Sequence, residues 1–380
     1  MVPSVAAGSG GTERCAAALL LELVRRGHQI TMFTADARGA DLPGVEIRRV
    51  PRIARPSPLA YASFFAAAAL RRRLSGRFDL VYSAGANTLG ADVVTAHFSA
   101  ARGHRLMRSG ELALEGSRLR KLARGAFFSL AERAERRLYR SARCRRIIAV
   151  SDRLRGELTA DYRLPREKLV VISNGVDLAE FRPDLRGYAG RDKRREMGLV
   201  EGEILALFLG GDWERKGLAT LLEALAGVTA PVRLAVVGHG DAGYWRKRAE
   251  VLGVAGRVLF AGPTKQASTW HAAADFLVLP TRYEPLGLTP LEAGACGVPA
   301  LFSRLAGISD VLPDGQAALH LENPLDAVEL AEKMGRLAAD AGLRLRLASA
   351  ARSVAERWSW ARVAVETENV FLAVLKEKGT

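Results

Sequence analysis

The chain has 380 residues and a mass of 41.0 kDa, is 49% hydrophobic and 26% charged, and has a mean hydropathy of +0.03. Those values exclude a disordered, collagen-like or polytopic membrane chain, and the length is about twice that of a common domain, so two domains are expected. The net charge of +15 is uneven: residues 1–172 hold 31 basic and 15 acidic side chains, while residues 173–380 hold 25 and 26, so the first half carries either a field that attracts polyanions or simply the solvated arginines of an Ala/Gly/Arg-rich chain.

No uncharged apolar run reaches the roughly 18 to 20 residues of a spanning helix. No charged segment followed by an apolar core opens the chain, so no secretion signal is read. Cys15, Cys144 and Cys296 form no CxxC pair or zinc-spaced cluster, which fits a reducing cytoplasm.

Met1–Val5 reads as the tail of a first strand whose beginning is missing. Gly8-Ser9-Gly10-Gly11-Thr12 follows it and precedes a helical pattern over 13–26. Glycines there let the backbone approach an anion at a helix N-terminus, although a plain turn explains them equally well. Strand patterns follow at 29–34, 80–83, 93–96, 146–150 and 169–173. His97 closes the third of them, at the edge where ligands bind in open α/β sheets. Its role is either structural or catalytic. Residues 102–146 carry 14 basic against 4 acidic side chains. Within them, 119–140 places Leu119, Leu122, Ala126, Phe127, Leu130, Ala134 and Leu138 on one helical face, with arginines elsewhere. Such a helix can lie on anionic lipid or pack on a core with a charged outer side.

A turn at Asn174-Gly175-Val176-Asp177 marks the boundary between halves. The second half continues with strand patterns at 204–210, 233–238, 257–261, 276–279 and 299–302, separated by helical stretches such as 218–226 and 242–252. Helical patterns then cover 325–337, 343–356 and 360–376. Alternation of this kind gives parallel sheets covered by helices, here two sheets of five or six strands.

Gly210-Gly211-Asp212-Trp213-Glu214-Arg215-Lys216-Gly217 ends at the mouth of a helix. The helix dipole disfavours two cations at that end, so Arg215 and Lys216 either meet an anionic ligand or form a solvated pair. Gly238-His239-Gly240-Asp241-Ala242-Gly243 matches a dinucleotide fingerprint after a strand. The next strand, however, ends Leu259-Phe260-Ala261-Gly262 without the carboxylate such a site needs. A phosphate-facing or simply tight turn is the better reading. The most specific constellation is the loop from Pro280 to Ala293. Glu284 lies in it, and Pro290 opens a helix with Thr289 as its expected cap and Glu292 in its first turn. Carboxylates there can accept from sugar or ribose hydroxyls, and backbone N–H groups near Gly287 and Leu288 can meet an anion. There is no Asp-x-Asp clamp for a divalent cation and no GxSxG, Walker A or HExxH motif.

With these residues the chain resembles the retaining glycosyltransferases of family 4. The likeness includes Gly10-Gly11, Ile148-Ala149-Val150-Ser151, Asn174-Gly175-Val176-Asp177, Arg215-Lys216-Gly217, Val237-Gly238-His239-Gly240, the Glu284-x7-Glu292 signature, Gly297-Val298-Pro299 and Trp358-Ser359-Trp360. Within the family it is similar to lipopolysaccharide-core glucosyltransferases. The resemblance implies the GT-B architecture, an α/β fold of two facing Rossmann-like doubly wound domains with an interdomain cleft and a C-terminal crossover helix. It sets an acceptor-side domain at 1–173, a nucleotide-sugar domain at 174–357 and the returning helix at 358–380.

By the same resemblance Glu284 contacts the donor sugar and Glu292 the nucleotide ribose. Lys216 and Arg215 hold the diphosphate, Gly11 faces it, and His97 lies beside the sugar. Gly211, Gly238, Gly287 and Leu288 complete the donor site. Many members carry an Arg at the Gly211 position, and Arg215 is expected to replace it. The implied activity is metal-independent retaining transfer of a hexosyl group from a nucleotide diphosphate-sugar, with no cofactor beyond that co-substrate. The expected acceptor is an anionic saccharide or glycolipid of cell-envelope polysaccharide or lipopolysaccharide biosynthesis. The expected place is the cytoplasm, with a peripheral seat on the inner face of the cytoplasmic membrane and no nucleic-acid partner. A nucleotide-sugar epimerase or a phosphorylase on the same fold is the alternative enzyme; a non-catalytic polyanion-binding protein is the alternative of another class.

Overall fold

The computed structural model describes residues 1–5, 11–53, 55–110 and 118–379, apart from the Arg120 side chain. Of the first glycine cluster, Gly8, Ser9 and Gly10 lie outside the described residues. The chain divides into two compact units, Met1–Gly175 with Trp360–Thr380, and Val176–Ser359.

Unit 1 runs α1 (Gly11–Arg25), β1 (Ile30–Thr34), β2 (Val45–Arg49), α2 (Ser57–Leu74), β3 (Tyr82–Ala84), β4 (Val93–Ala96), α3 (Ala100–Arg108), α4 (Arg118–Tyr139), β5 (Arg146–Ala149), α5 (Asp152–Tyr162) and β6 (Leu169–Val171). Strands β3-β4-β5-β6 form one parallel sheet and β1-β2 a parallel pair. Residues 1–5 join the two. Val2 N–H donates to the Phe33 carbonyl at 3.2 Å and Ala35 N–H to the Pro3 carbonyl at 3.1 Å, while Ala84 N–H donates to the Met1 carbonyl at 3.2 Å. The segment thus does a central strand's work between β1 and β3, and the chain leaves it first toward β1 and later toward β3.

Unit 2 runs α6 (Ala189–Glu196), β7 (Ile204–Leu209), α7 (Leu218–Gly227), β8 (Val232–Val237), α8 (Ala242–Val251), β9 (Val258–Gly262), α9 (Ala267–Ala273), β10 (Phe276–Leu279), α10 (Thr289–Ala295), β11 (Ala300–Ser303), β12 (Leu319–Leu321), α11 (Ala327–Ala339) and α12 (Ala341–Arg357). Its six strands are parallel in the order β12-β11-β10-β7-β8-β9. They are apolar on both faces, as a covered parallel sheet requires: Leu207, Phe208, Val236 and Leu277 are fully buried. The chain passes from β7 outward to β9 and then crosses back to β10 beside β7. The loops after β7 and β10 therefore diverge, which makes a crevice at the carboxyl ends of these two strands.

The last helix, α13 (Trp360–Lys378), belongs to unit 1. Val363, Ala364, Val370, Phe371 and Val374 share one core with Leu19 and Leu23 of α1 and with Val93 and Ile148 of the sheet. Charge fixes its flank, where Glu368 takes His28 Nε2 at 2.7 Å and pairs with Arg26.

Two strands depart from the sequence reading. β2 reads Val-Glu-Ile-Arg-Arg, an edge strand whose charged residues face outward, so apolar periodicity does not announce it. β12 has three residues. The expected lipid or core face of α4 also splits: Leu119 and Leu122 are 79% and 70% exposed, while Leu138 is fully buried. No described helix is long and apolar enough to cross a membrane.

Candidate functional site

In unit 2 the crevice between the β7 and β10 loops gathers the charged residues singled out in the sequence. Arg215 Nη1 donates to Glu284 Oε2 at 3.1 Å and to the Tyr283 carbonyl at 2.6 Å, and its Nε donates to Asp212 Oδ2 at 3.0 Å. Lys216 Nζ lies 3.5 Å from the same Glu284 oxygen, and the lysine is buried. Burial alone would raise the Glu284 pKa, but Arg215 and Lys216 beside it hold the carboxyl below its usual range. Burial likewise works against the Arg215 charge, and Glu284 with Asp212 outweighs it, so the guanidinium is held more firmly protonated than usual. Glu284 and Arg215 are therefore both ions at neutral pH. The solvated-pair reading of Arg215 and Lys216 does not hold: Lys216 is buried, Arg215 is half-buried, and both share a carboxylate.

Two glycines make this closeness possible. Gly210, at φ +137°, leaves room for the lysine, since a Cβ there would lie 2.7 Å from Lys216 Cε. Gly238, at φ +135°, brings the end of β8 against β7, and a Cβ on it would lie 2.1 Å from the Gly210 carbonyl oxygen. The glycine of the dinucleotide-like run is thus required by strand-end packing. Gly211 continues the loop after Gly210, ahead of the Arg215-Lys216 pair.

The β10 loop is tied down on its far side. Glu284 forms a parallel bridge with Ala306, and Ile308 N–H donates to the Leu286 carbonyl at 2.8 Å. Gly287 and Leu288 then lead into α10, whose seven residues are all buried. Leu288 occupies the cap position and gives no side-chain cap, so Thr289 is not the cap but the first helical residue. Glu292 is in the first turn as expected, buried, with His271 Nε2 at 3.8 Å.

Gly11 and His97 belong to unit 1. Gly11 opens α1, and among the described residues a Cβ on it would meet nothing within 4 Å. His97 follows β4 and lines a cavity of about 1170 Å3 with Tyr61, Phe127, Glu135 and Tyr139. Burial pushes its imidazole down to about 4, so it is neutral at physiological pH. Arg52, Arg55, Lys121 and Arg124 also line the cavity. Deeper in, Glu135 Oε2 accepts from Ala100 N–H at 2.9 Å and from the Tyr162 hydroxyl. The carboxyl therefore ties α4 to the start of α3 and to the end of α5.

Sequence reasoning missed Asp212, Glu135, Tyr139 and the arginines at 52 and 55. Asp212 had a local signal, three residues before Arg215 in a glycine loop. Glu135 had a weaker one, an acid among the arginines of α4, four residues before a tyrosine.

A family model described as Glycosyltransferase Family 4 matches residues 9–180, and one described as Glycosyl transferases group 1 matches residues 203–340. An uncharacterised glycosyltransferase of Methanocaldococcus jannaschii is 27% identical over 379 residues, covering 94% of this chain and 93% of that protein. A D-inositol 3-phosphate glycosyltransferase of Streptomyces bingchenggensis is 32% identical over 249 residues; the match takes in 61% of this chain and about half of that protein, 53%. Among solved structures, WaaG, a glycosyltransferase involved in lipopolysaccharide biosynthesis, superposes with a TM-score of 0.80 at 22% identity over 98% of this chain and 99% of its own. Anabaena HepE in complex with UDP and glucose gives 0.72 at 18% identity over 97% and 98%.

Proposed function

Because the chain belongs to the family 4 glycosyltransferases, of GT-B fold, we propose that it moves a hexosyl group from a nucleotide diphosphate-sugar to an anionic saccharide or glycolipid, with retention at the anomeric carbon and without a metal ion. The observation that carries this reading is the largely buried Arg215–Lys216–Glu284 cluster at the switch point of unit 2. Two cations sharing one carboxylate are poised to accept further negative charge. The diphosphate of the donor supplies it, and more charge develops on its leaving oxygen as the glycosidic bond breaks.

In this mechanism Lys216 and Arg215 neutralise the leaving diphosphate, helped by backbone N–H groups near Gly287 and Leu288. Arg215 is held in place by Asp212 and by the Tyr283 carbonyl, so its orientation is set before the donor arrives. Fixed donors aimed at developing charge are each worth a few kcal/mol, roughly 2.7 to 4. Glu284, ionised, accepts hydrogen bonds from hydroxyls of the donor sugar, and Glu292 from the ribose. Gly11, Gly211 and Gly238 provide close backbone approach to the phosphates. His97 offers a neutral imidazole to the sugar being transferred. Metal ions are dispensable in this scheme because protein cations do the neutralising.

The acceptor binds unit 1, whose cavity is ringed by Arg52, Arg55, Lys121 and Arg124. The exposed start of α4, with Leu119 and Leu122 among Arg118, Lys121 and Arg124, rests on anionic lipid when the acceptor is a glycolipid. Flotation with vesicles containing anionic lipid tests that seat, and failure to bind at low salt rejects it. HepE is known in complex with UDP and glucose, so UDP-sugars are the first donors to try. Incubation of the full chain with UDP-, GDP-, ADP- and TDP-sugars in EDTA, with the anomeric configuration of product read by NMR, tests the whole reading. An inverted product, or activity that needs added divalent metal, overturns it.

A further inference from the structure

The unit 1 cavity is lined by a polar group that the described residues leave unbonded. Tyr139 is fully buried, lines the cavity, and its hydroxyl has no hydrogen-bond partner among the described residues. A tyrosine kept only for packing would serve as well as phenylalanine. Its ring already stacks edge-on against Tyr162, with centroids 5.4 Å apart, and that contact needs no oxygen. Buried hydroxyls are ordinarily satisfied, and one that is not points to a partner supplied from outside the chain. Glu135, one helical turn earlier, uses Oε2 for both of its hydrogen bonds, leaving Oε1 without one among the described residues.

We infer that Glu135 and Tyr139 form a subsite for uncharged hydroxyl groups of a sugar or polyol acceptor, whose anionic group is held at the cationic rim. This rests on the reading that unit 1 takes the acceptor, and it adds which atoms recognise it. The layout of α4 gives the subsite its order. Lys121, Arg124, Phe127, Ala131, Glu135 and Tyr139 all line the cavity. At 1.5 Å per residue the stripe extends about 27 Å, from cations through an aromatic ring and a small residue to the polar floor. An acceptor with an anionic end and a hydroxylated body matches that sequence of surfaces.

The chemistry of the floor suits a hydroxyl and not an ion. Burial, with Asp161 and Glu132 nearby, pushes the Glu135 carboxyl up to about 8 against the hydrogen bonds from Tyr162 and Ala100, so it keeps its proton at neutral pH. Because Oε2 accepts twice, that proton sits on Oε1. The Tyr139 hydroxyl and the Glu135 acid can each donate to or accept from a substrate hydroxyl. A phosphate brought to this depth would have to shed its hydration beside neutral groups, and it fits the arginines of the rim instead.

The test uses the full chain and three probes: glucose 6-phosphate, glucose, and inorganic phosphate, titrated by ligand-observed NMR. Tyr139→Phe is expected to weaken glucose 6-phosphate and glucose by a similar factor, about three- to tenfold, and to leave phosphate binding unchanged. Its melting temperature should be equal or higher, since an unpartnered hydroxyl is removed, and UDP binding should not move. Unchanged sugar affinity in Tyr139→Phe overturns the inference, as does a lack of saturable binding of glucose 6-phosphate by the unaltered chain. Tyr139-dependent sugar binding in a protein that never transfers from any nucleotide sugar would instead sink the proposed function and leave the subsite standing.

Discussion

The crevice of unit 2 holds Arg215 and Glu284 as ions, whereas the cavity of unit 1 buries His97 and Glu135 in neutral form. In the crevice of unit 2, Arg215 and Lys216 face Glu284 and Asp212, and each charge stabilises its neighbours in a site that would otherwise penalise all of them. In the cavity of unit 1, burial drives His97 down to about 4 and Glu135 up to about 8, so both are uncharged at neutral pH. The cations of that cavity are Arg52, Arg55, Lys121 and Arg124, which are exposed. The same desolvation therefore yields opposite chemistry, depending on whether an opposite charge is within reach. A cluster of ions suits a polyphosphate whose charge grows during reaction; a neutral pocket suits hydroxyls that must be oriented.

Removing the lysine gives the hardest blow to the ionic side of this contrast. Lys216→Ala is expected to lower transfer by about two orders of magnitude or more. It leaves Glu284 paired with Arg215 alone, so nucleoside diphosphate affinity should fall as well. Near-normal turnover measured with any active donor would place the diphosphate elsewhere.

Glu284→Gln tests whether the carboxylate serves the sugar or merely balances charge. If it serves the sugar, kcat drops by about tenfold or more while nucleoside diphosphate binding holds or tightens, because two cations then lack their shared counter-ion. A variant with tighter nucleotide binding and unchanged kcat would reduce Glu284 to a charge-balancing residue.

Gly238→Ala asks how far the ionic crevice depends on the strand ends below it. The substitution places a Cβ 2.1 Å from the Gly210 carbonyl oxygen at φ +135°, where only glycine is comfortable. A loss of about 2 kcal/mol or more in urea unfolding is expected. A loss of a few tenths would mean that the β8 end can move aside and that its glycine is kept for the ligand alone.

Much of this was legible in the sequence, but unevenly. The alternation of short apolar runs and helices was enough for two parallel sheets, because strands buried on both faces must be apolar throughout. Glu284, Arg215 and Lys216 were legible because they bracket strand-to-helix loops, and sheet topology sends such loops to one edge. β2 was not, since an edge strand carries Glu46, Arg48 and Arg49 without penalty. Nor were Glu135 and Tyr139. Their meaning lies in which face of α4 meets α3 and α5, and a helix that is arginine-rich on one side and apolar on the other has the same periodicity whichever cavity it lines. The outward turn of Leu119 and Leu122 was hidden for the same reason.

The smallest expected effect bears on the neutral side of the contrast. A carboxyl whose pKa is raised in the folded state holds a proton that the unfolded chain releases, so its contribution to stability is complete below the ordinary value near 4.5. That contribution is lost progressively as pH rises through about 8. The groups that bear on Glu135 come from several elements: Tyr162 and Asp161 on α5, Glu132 and Tyr139 on α4 itself, and Tyr61 on α2. His97, pushed the other way, destabilises on the acid side as the unfolded chain takes up a proton near 6.5. Comparing Glu135→Gln with the unaltered chain cancels the histidine and isolates the carboxyl. Urea midpoints measured between pH 5 and 8 should fall with pH more steeply in the unaltered protein than in the variant. Parallel slopes would mean that Glu135 is ionised in the folded state, and the floor of the cavity would then be a site for cationic or strongly donating groups.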